Sequence, residues 1–156
     1  MGRMYAVSFT EVAVTVAVDV FELTPADDKP IAIHGIILAQ STDVGDAAEE
    51  IIPLRLIRGH TTSGSGGATA TPVPLNGIDT AAGFTAETNN TTAASVGTTT
   101  DLLSDAWNVR AGYQVWFPPE CRPIASQANT TLVLRFASAP VDSLDLSGVI
   151  YVEELA

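Results

Sequence analysis

Two histidines, one cysteine and a knot of carboxylates are the side chains of this 156-residue chain best suited to chemistry. His34 and His60 lie far apart, and Cys121 is the only thiol that could complete a zinc site with them, one ligand short of a closed tetrahedron. Cys121 sits among Pro118, Pro119, Glu120 and Pro123. No base lies nearby and Glu120 opposes thiolate formation, so it reads as a half-buried structural thiol rather than a nucleophile. Asp43, Asp46, Glu49 and Glu50 crowd one loop. A hard cation such as Ca²⁺ wants six to eight oxygens, but their spacing fits no calcium loop. Helix capping accounts for Asp46 and Glu49 without a metal. No serine occupies a G-x-S-x-G elbow, and Ser65 lies in a Gly-rich linker that would hold a nucleophile loosely. Gly64-Ser65-Gly66-Gly67 lacks the lysine of a phosphate loop. These residues imply no enzyme, no cofactor and no resident metal.

The elements that position them are strands. Val12, Val14, Val16, Val18 and Val20 alternate with small or polar residues, a period of two. Phe21 and Leu23 change the phase, which predicts a bulge or a strand break near residues 17–19. Residues 29–40 form the next strand, apolar on both parities, as in a sandwich centre or a subunit contact. Asp46 with Glu49 predicts one short helical turn near residues 46–50. Strands follow at 51–57, 131–136 and 144–152. One alternating run spans Trp107, Val109, Ala111, Tyr113, Val115 and Phe117. The pattern is that of an all-β chain, an antiparallel β-sandwich with jelly-roll-like character. Its length suits a single domain over 1–156.

Between Gly59 and Thr100 only Asp79 and Glu87 are charged, and Thr, Gly, Ser and Ala dominate. This predicts an extended insertion at about 59–101, with some strand near 68–73 and 93–103, packing on protein rather than held apart by charge. Trp107, Tyr113 and Phe117 share the parity expected to be buried. Trp116 takes the other parity and suits a contact surface. Together with Ile31, Ile33 and His34 it makes the expected interface. Aromatics on a sandwich also suit a carbohydrate- or small-ligand-binding module, the alternative reading.

The formal charge is −11, from 18 acidic and 7 basic side chains. That excludes the basic footprint of a nucleic-acid binder and opposes docking on anionic lipid. No apolar run reaches the roughly 18–20 residues of a membrane-spanning helix, and residues 1–11 do not read as a secretory signal.

Met4-Tyr5-Ala6-Val7-Ser8-Phe9-Thr10, Phe21-Glu22-Leu23-Thr24-Pro25-Ala26 and Arg58-Gly59-His60-Thr61-Thr62-Ser63-Gly64 resemble segments of small virion structural proteins of tailed bacteriophages, of the capsid decoration or cement type. The resemblance implies a self-associating jelly-roll subunit, with a trimer as the expected state. It implies packing on a major capsid protein or another virion protein. It places the chain on the outer surface of a virion, after synthesis in a host cytoplasm. It transfers no catalytic residue.

Overall fold

A computed structural model describes residues 2–42, 49–127 and 130–155. Among the described residues twelve strands occupy two antiparallel sheets. They are β1 (Arg3–Val14), β2 (Asp19–Thr24), β3 (Ile31–Gln40), β4 (Ile51–His60), β5 (Ala68–Ala70) and β6 (Val73–Pro74). Then come β7 (Thr85–Asn90), β8 (Thr100–Asn108), β9 (Tyr113–Trp116), β10 (Ile124–Ala125), β11 (Thr131–Phe136) and β12 (Leu144–Glu154). The first sheet runs β10-β3-β12-β1-β6, with β9 also pairing β3. The second runs β5-β7-β2-β11-β4-β8.

The pairing is nested. The first strand pairs the last, β1 with β12. Inside that pair, β2 meets β11 and β3 meets β9, and β4 meets β8 at the centre. Successive members of this nest alternate between the two sheets, which is the jelly-roll connectivity. β5, β6 and β7 are additions between β4 and β8. β6 extends the first sheet beyond β1, and β7 with β5 extends the second beyond β2.

The break expected near residues 17–19 falls slightly earlier, between the end of β1 at Val14 and the start of β2 at Asp19. The first strand starts earlier than its valine run suggests, at Arg3. A register shift between Phe9 and Val12 lets Tyr5 and Val7, then Val14, all reach the core. The run from Trp107 to Phe117 is not one strand. A turn at residues 109–112 carries the chain from the second sheet to the first, and Trp107 and Tyr113 both stay buried. The described helical element is a single 3-10 turn, Pro119–Cys121. The turn expected near 46–50 starts at Asp46, and residues 43–48 lie outside the described residues, as does Asn129. Cys121 is exposed, not half-buried, because that turn buries none of its residues.

The low-charge stretch packs against the chain's own second sheet. Residues 61–66 and 91–97 are tied by bridges Thr62–Ser95 and Ser65–Thr92 into a flap over the sheet's outer face. Gly59 (φ 112°) and Gly97 (φ 86°) shape its two roots, where backbone meets backbone too closely for a Cβ. Beneath it Val133 and Ile57, on the non-core parity of their strands, are buried. So are Asp19 and Glu22. Asp19 accepts from Arg135 Nε and Nη2 at 2.5 and 3.0 Å and from the Ala94 N–H at 2.7 Å. Glu22 accepts from the Gly64 N–H at 2.9 Å and from Asn90 Nδ2 at 3.0 Å.

Candidate functional site

The flap covers the outer face of the second sheet over β2 and β11, while Pro53 and Arg55 of β4 stay exposed; the outer face of the first sheet has no such cover. A bulge determines what it presents. The β3–β12 register jumps so that Tyr151 opposes Gly35 and Val152 opposes Ile33, which makes His34 the extra residue. Ile31 and Ile33 before the bulge, and Ile36 and Leu38 after it, therefore all point into the core, each 0% exposed. This resolves the apolar run on both parities. Ile31 and Ile33 are spent on the sandwich interior, while His34 and Trp116 are on the outer face.

Across that face runs one row, set by register: Trp116, Gly35, Tyr151, Ala6 and Val73. Gly35 has no side chain, so the Trp116 indole lies over it, where a Cβ would run into the ring. The indole reaches Tyr151 and stacks on it, with ring centroids 5.5 Å apart and planes 17° off parallel. Trp116 remains 52% exposed. The next row is Gln114, Ile37, Val149 and Ser8. Neither row carries a charge. Leu75 and Ile78, just past β6, are exposed beside its rim. A face of four to five strands and several rows spans roughly 500 Å². That approaches the ~800 Å² each partner buries in a standard interface.

One charged cluster lies beside the aromatic pair. Glu153 Oε2 is 2.7 Å from His34 Nε2 and 3.7 Å from Arg122 Nη1, and its Oε1 accepts the Gly2 N–H at 2.9 Å. Burial pushes the Glu153 carboxyl up. The His34 and Gly2 hydrogen bonds, with the charges of His34 and Arg122, outweigh it and hold the group below the ordinary glutamate range. A depressed carboxyl stabilises the fold above its unfolded pKa, and that contribution is lost as pH falls through the folded value. Glu153→Gln is therefore expected to flatten the acid limb of stability against pH. Urea midpoints taken from pH 7 down to pH 3 should converge for the two proteins at the acid end.

Other candidates do not assemble. His60 is buried at the end of β4 under the flap, its Nδ1 3.3 Å from the Val96 carbonyl, remote from His34 on the opposite sheet. Among the described residues no three His, Cys, Asp or Glu side chains are placed to hold a metal ion. No described helix is long and apolar enough to cross a membrane. The sequence flagged Trp116 by parity. Tyr151 was missed because its partnership depends on Gly35 and the bulge beside it.

No protein-family model matches the chain, and no curated protein does. Solved structures to which it bears a weak likeness include viral capsid proteins. One is the complex of the two major capsid proteins VP16 and VP17 of bacteriophage P23-77, at 10% identity, covering 95% of this chain and 89% of that one, with a TM-score of 0.19. Another is the infectious bursal virus derived T=1 particle, at 12% identity, covering 97% of this chain and 40% of that one, with a TM-score of 0.18. VP17 of P23-77 alone gives 10% identity over 99% of this chain and 88% of that one, with a TM-score of 0.11. At such TM-scores the likeness is distant, and the jelly roll rests on the strand order itself.

Proposed function

We propose that the chain is a non-enzymatic virion structural protein, a capsid decoration or minor capsid subunit that self-associates and packs on a shell. The observation that carries this is the two uncharged rows on the outer face of the first sheet, centred on Trp116 and Tyr151. In a chain with a net charge of −11, a sheet face with two uncharged rows matches interface cores, which are depleted in charge and enriched in aromatics. The jelly roll serves viral capsid proteins, lectins and cupins alike, so fold alone does not choose among them. A cupin needs a histidine cluster, and the two histidines here are on opposite sheets. A trimer is the assembly we assign, on the outer surface of a particle, with the major capsid protein as the shell-side partner.

Light scattering and co-sedimentation with capsid shells test the reading. The wild-type chain is expected to run as an oligomer and to pellet with shells. Trp116→Glu, which puts a charge in the middle of the uncharged row, is expected to release monomers and abolish pelleting. Its folding free energy from urea titration is expected to fall by about 1 kcal/mol, for the lost stack on Tyr151, with the chain still folded. A wild-type chain that stays monomeric and ignores shells overturns the proposal. A second reading, a carbohydrate-binding sandwich, has one observation in its favour, the aromatic stack beside the Glu153–His34–Arg122 cluster. Saturable glycan binding by such a monomer, lost in Trp116→Glu, is the outcome that would select it.

A further inference from the structure

Away from the Trp116 face, a cavity of about 250 Å³ opens where the chain leaves β1 for β2 beside the end of β7. Residues 12–18 supply one side of it. The backbone at 66–68 and residues 88–91 supply the other. Gly66 lies against Thr91, and Gly67 against Thr88 and Asn89, too closely for a Cβ, so main chain closes that end. Val14, Val18, Thr88 and Asn89 are its buried members, and Val16, 43% exposed, stands on its open side. No charged residue lines it.

Asn89 does not fit an idle wall. It is 6% exposed, and neither its Nδ2 nor its Oδ1 has a hydrogen-bond partner among the described residues. A buried polar group left unpaired is costly, and native interiors hold few of them. The backbone does not demand the amide. Asn89 has a φ of 56°, a left-handed conformation open to asparagine and glycine, and glycine would serve it without burying two orphan atoms. The next residue shows the contrast: Asn90 accepts from the Gly67 N–H at 3.1 Å and donates to Glu22 at 3.0 Å and to Glu87 at 2.7 Å. One water occupies about 30 Å³, so the cavity has room for much more than a bridging water. It falls just short of the roughly 300–1,000 Å³ of pockets for drug-sized ligands, which suits a smaller molecule.

We infer that this cavity binds a small uncharged molecule whose amide presents its N–H and C=O side by side, a lactam or a primary carboxamide, on an apolar body. Asn89 Nδ2 donates to the ligand carbonyl and the ligand N–H donates to Asn89 Oδ1, so one group satisfies both orphan atoms. No hydrogen bond tethers the Asn89 side chain, so it turns toward a ligand without breaking one. The valine side chains receive the apolar body. A charged ligand would lose its water here and find no counter-charge. The inference is independent of the capsid reading and of the Trp116 face.

The test uses the full chain with ε-caprolactam as probe and ε-caprolactone as control, read by chemical shifts in solution NMR. The lactone keeps the ring and the carbonyl and lacks the N–H. The lactam is expected to saturate with a Kd on the order of 1–10 mM, ordinary for so few atoms, and to shift the Asn89 side-chain signal and the backbone signals of residues 12–18. The lactone is expected to bind about tenfold more weakly, because it leaves Oδ1 unpaired. Asn89→Gly keeps the left-handed backbone, and is expected to hold its thermal midpoint and lose the preference for the lactam. Should it not fold, Asn89→Asp serves instead, since it keeps the size, removes the donor and is expected to lose lactam binding. Three results would overturn the inference: no saturable shift at about 100 mM lactam, ten times the weaker expected Kd; equal binding of lactam and lactone; or undiminished lactam binding and preference in whichever of the two variants is folded.

Discussion

Replacing Arg135 with Met is expected to cost about 3–5 kcal/mol of folding stability, the usual penalty for breaking a buried ion pair by removing one partner. Asp19 is 0% exposed, and Arg135 supplies two of its three hydrogen bonds. Without the guanidinium, a carboxylate is left under the flap with one backbone N–H as partner. Arg135 also donates to the Ala94 carbonyl at 2.9 Å, so the flap loses its tether to the sheet at the same time. For a chain near 150 residues, a loss of this size lowers the thermal midpoint by roughly 10 °C or more. Adding Asp19→Asn to the variant is expected to recover a good part of the loss. The charge is then gone, while the amide oxygen can still accept from Ala94. Urea titrations of the two single variants and the double variant measure this coupling. Simple additivity would show that the pair does not act as a unit.

That pair shows where sequence and structure part company. Period two located β11 and β12 well, because one face of each is more apolar than the other, while β3 was located by an apolar run on both parities. It also placed Trp116 outside and Trp107 inside. It read Asp19 as part of a polar, water-facing parity, since nothing local to Val18-Asp19-Val20 announces that a segment more than 70 residues later closes over it. Thr85–Asn90 was not legible as a strand. It has neither apolar alternation nor aromatic residues, and it is a strand because β2 and β5 flank it. The interface at β3 was legible only in part. Its isoleucines suggested two apolar faces, but the His34 bulge turns four of the large side chains onto one face. What remained for the outside was small, His34 and Ile37 excepted, and the contact surface came from neighbouring strands.

Phe84→Ala is expected to cost about 3–5 kcal/mol, the range for truncating a buried aromatic ring. By composition Phe84 belongs to a Thr/Gly-rich insertion, where a loop residue would cost little. In the structure it is 2% exposed and meets the Tyr5 ring edge to face, with centroids 5.6 Å apart. It is one of the core cluster, as is Ala86 two residues on. The two sheets and the insertion therefore share one interior. A chain whose insertion were a detachable arm would show a loss under about 1 kcal/mol and early proteolysis between residues 61 and 99. The proposed function also depends on this outcome. If the insertion is anchored through Phe84, the flap stays down over Asp19 and Glu22, and association is left to the Trp116 face. Urea unfolding of Phe84→Ala beside Trp116→Glu separates the two roles. The first should lose stability and keep its assembly state wherever it is folded. The second should lose only about 1 kcal/mol, for its stack on Tyr151, stay folded and lose its partners.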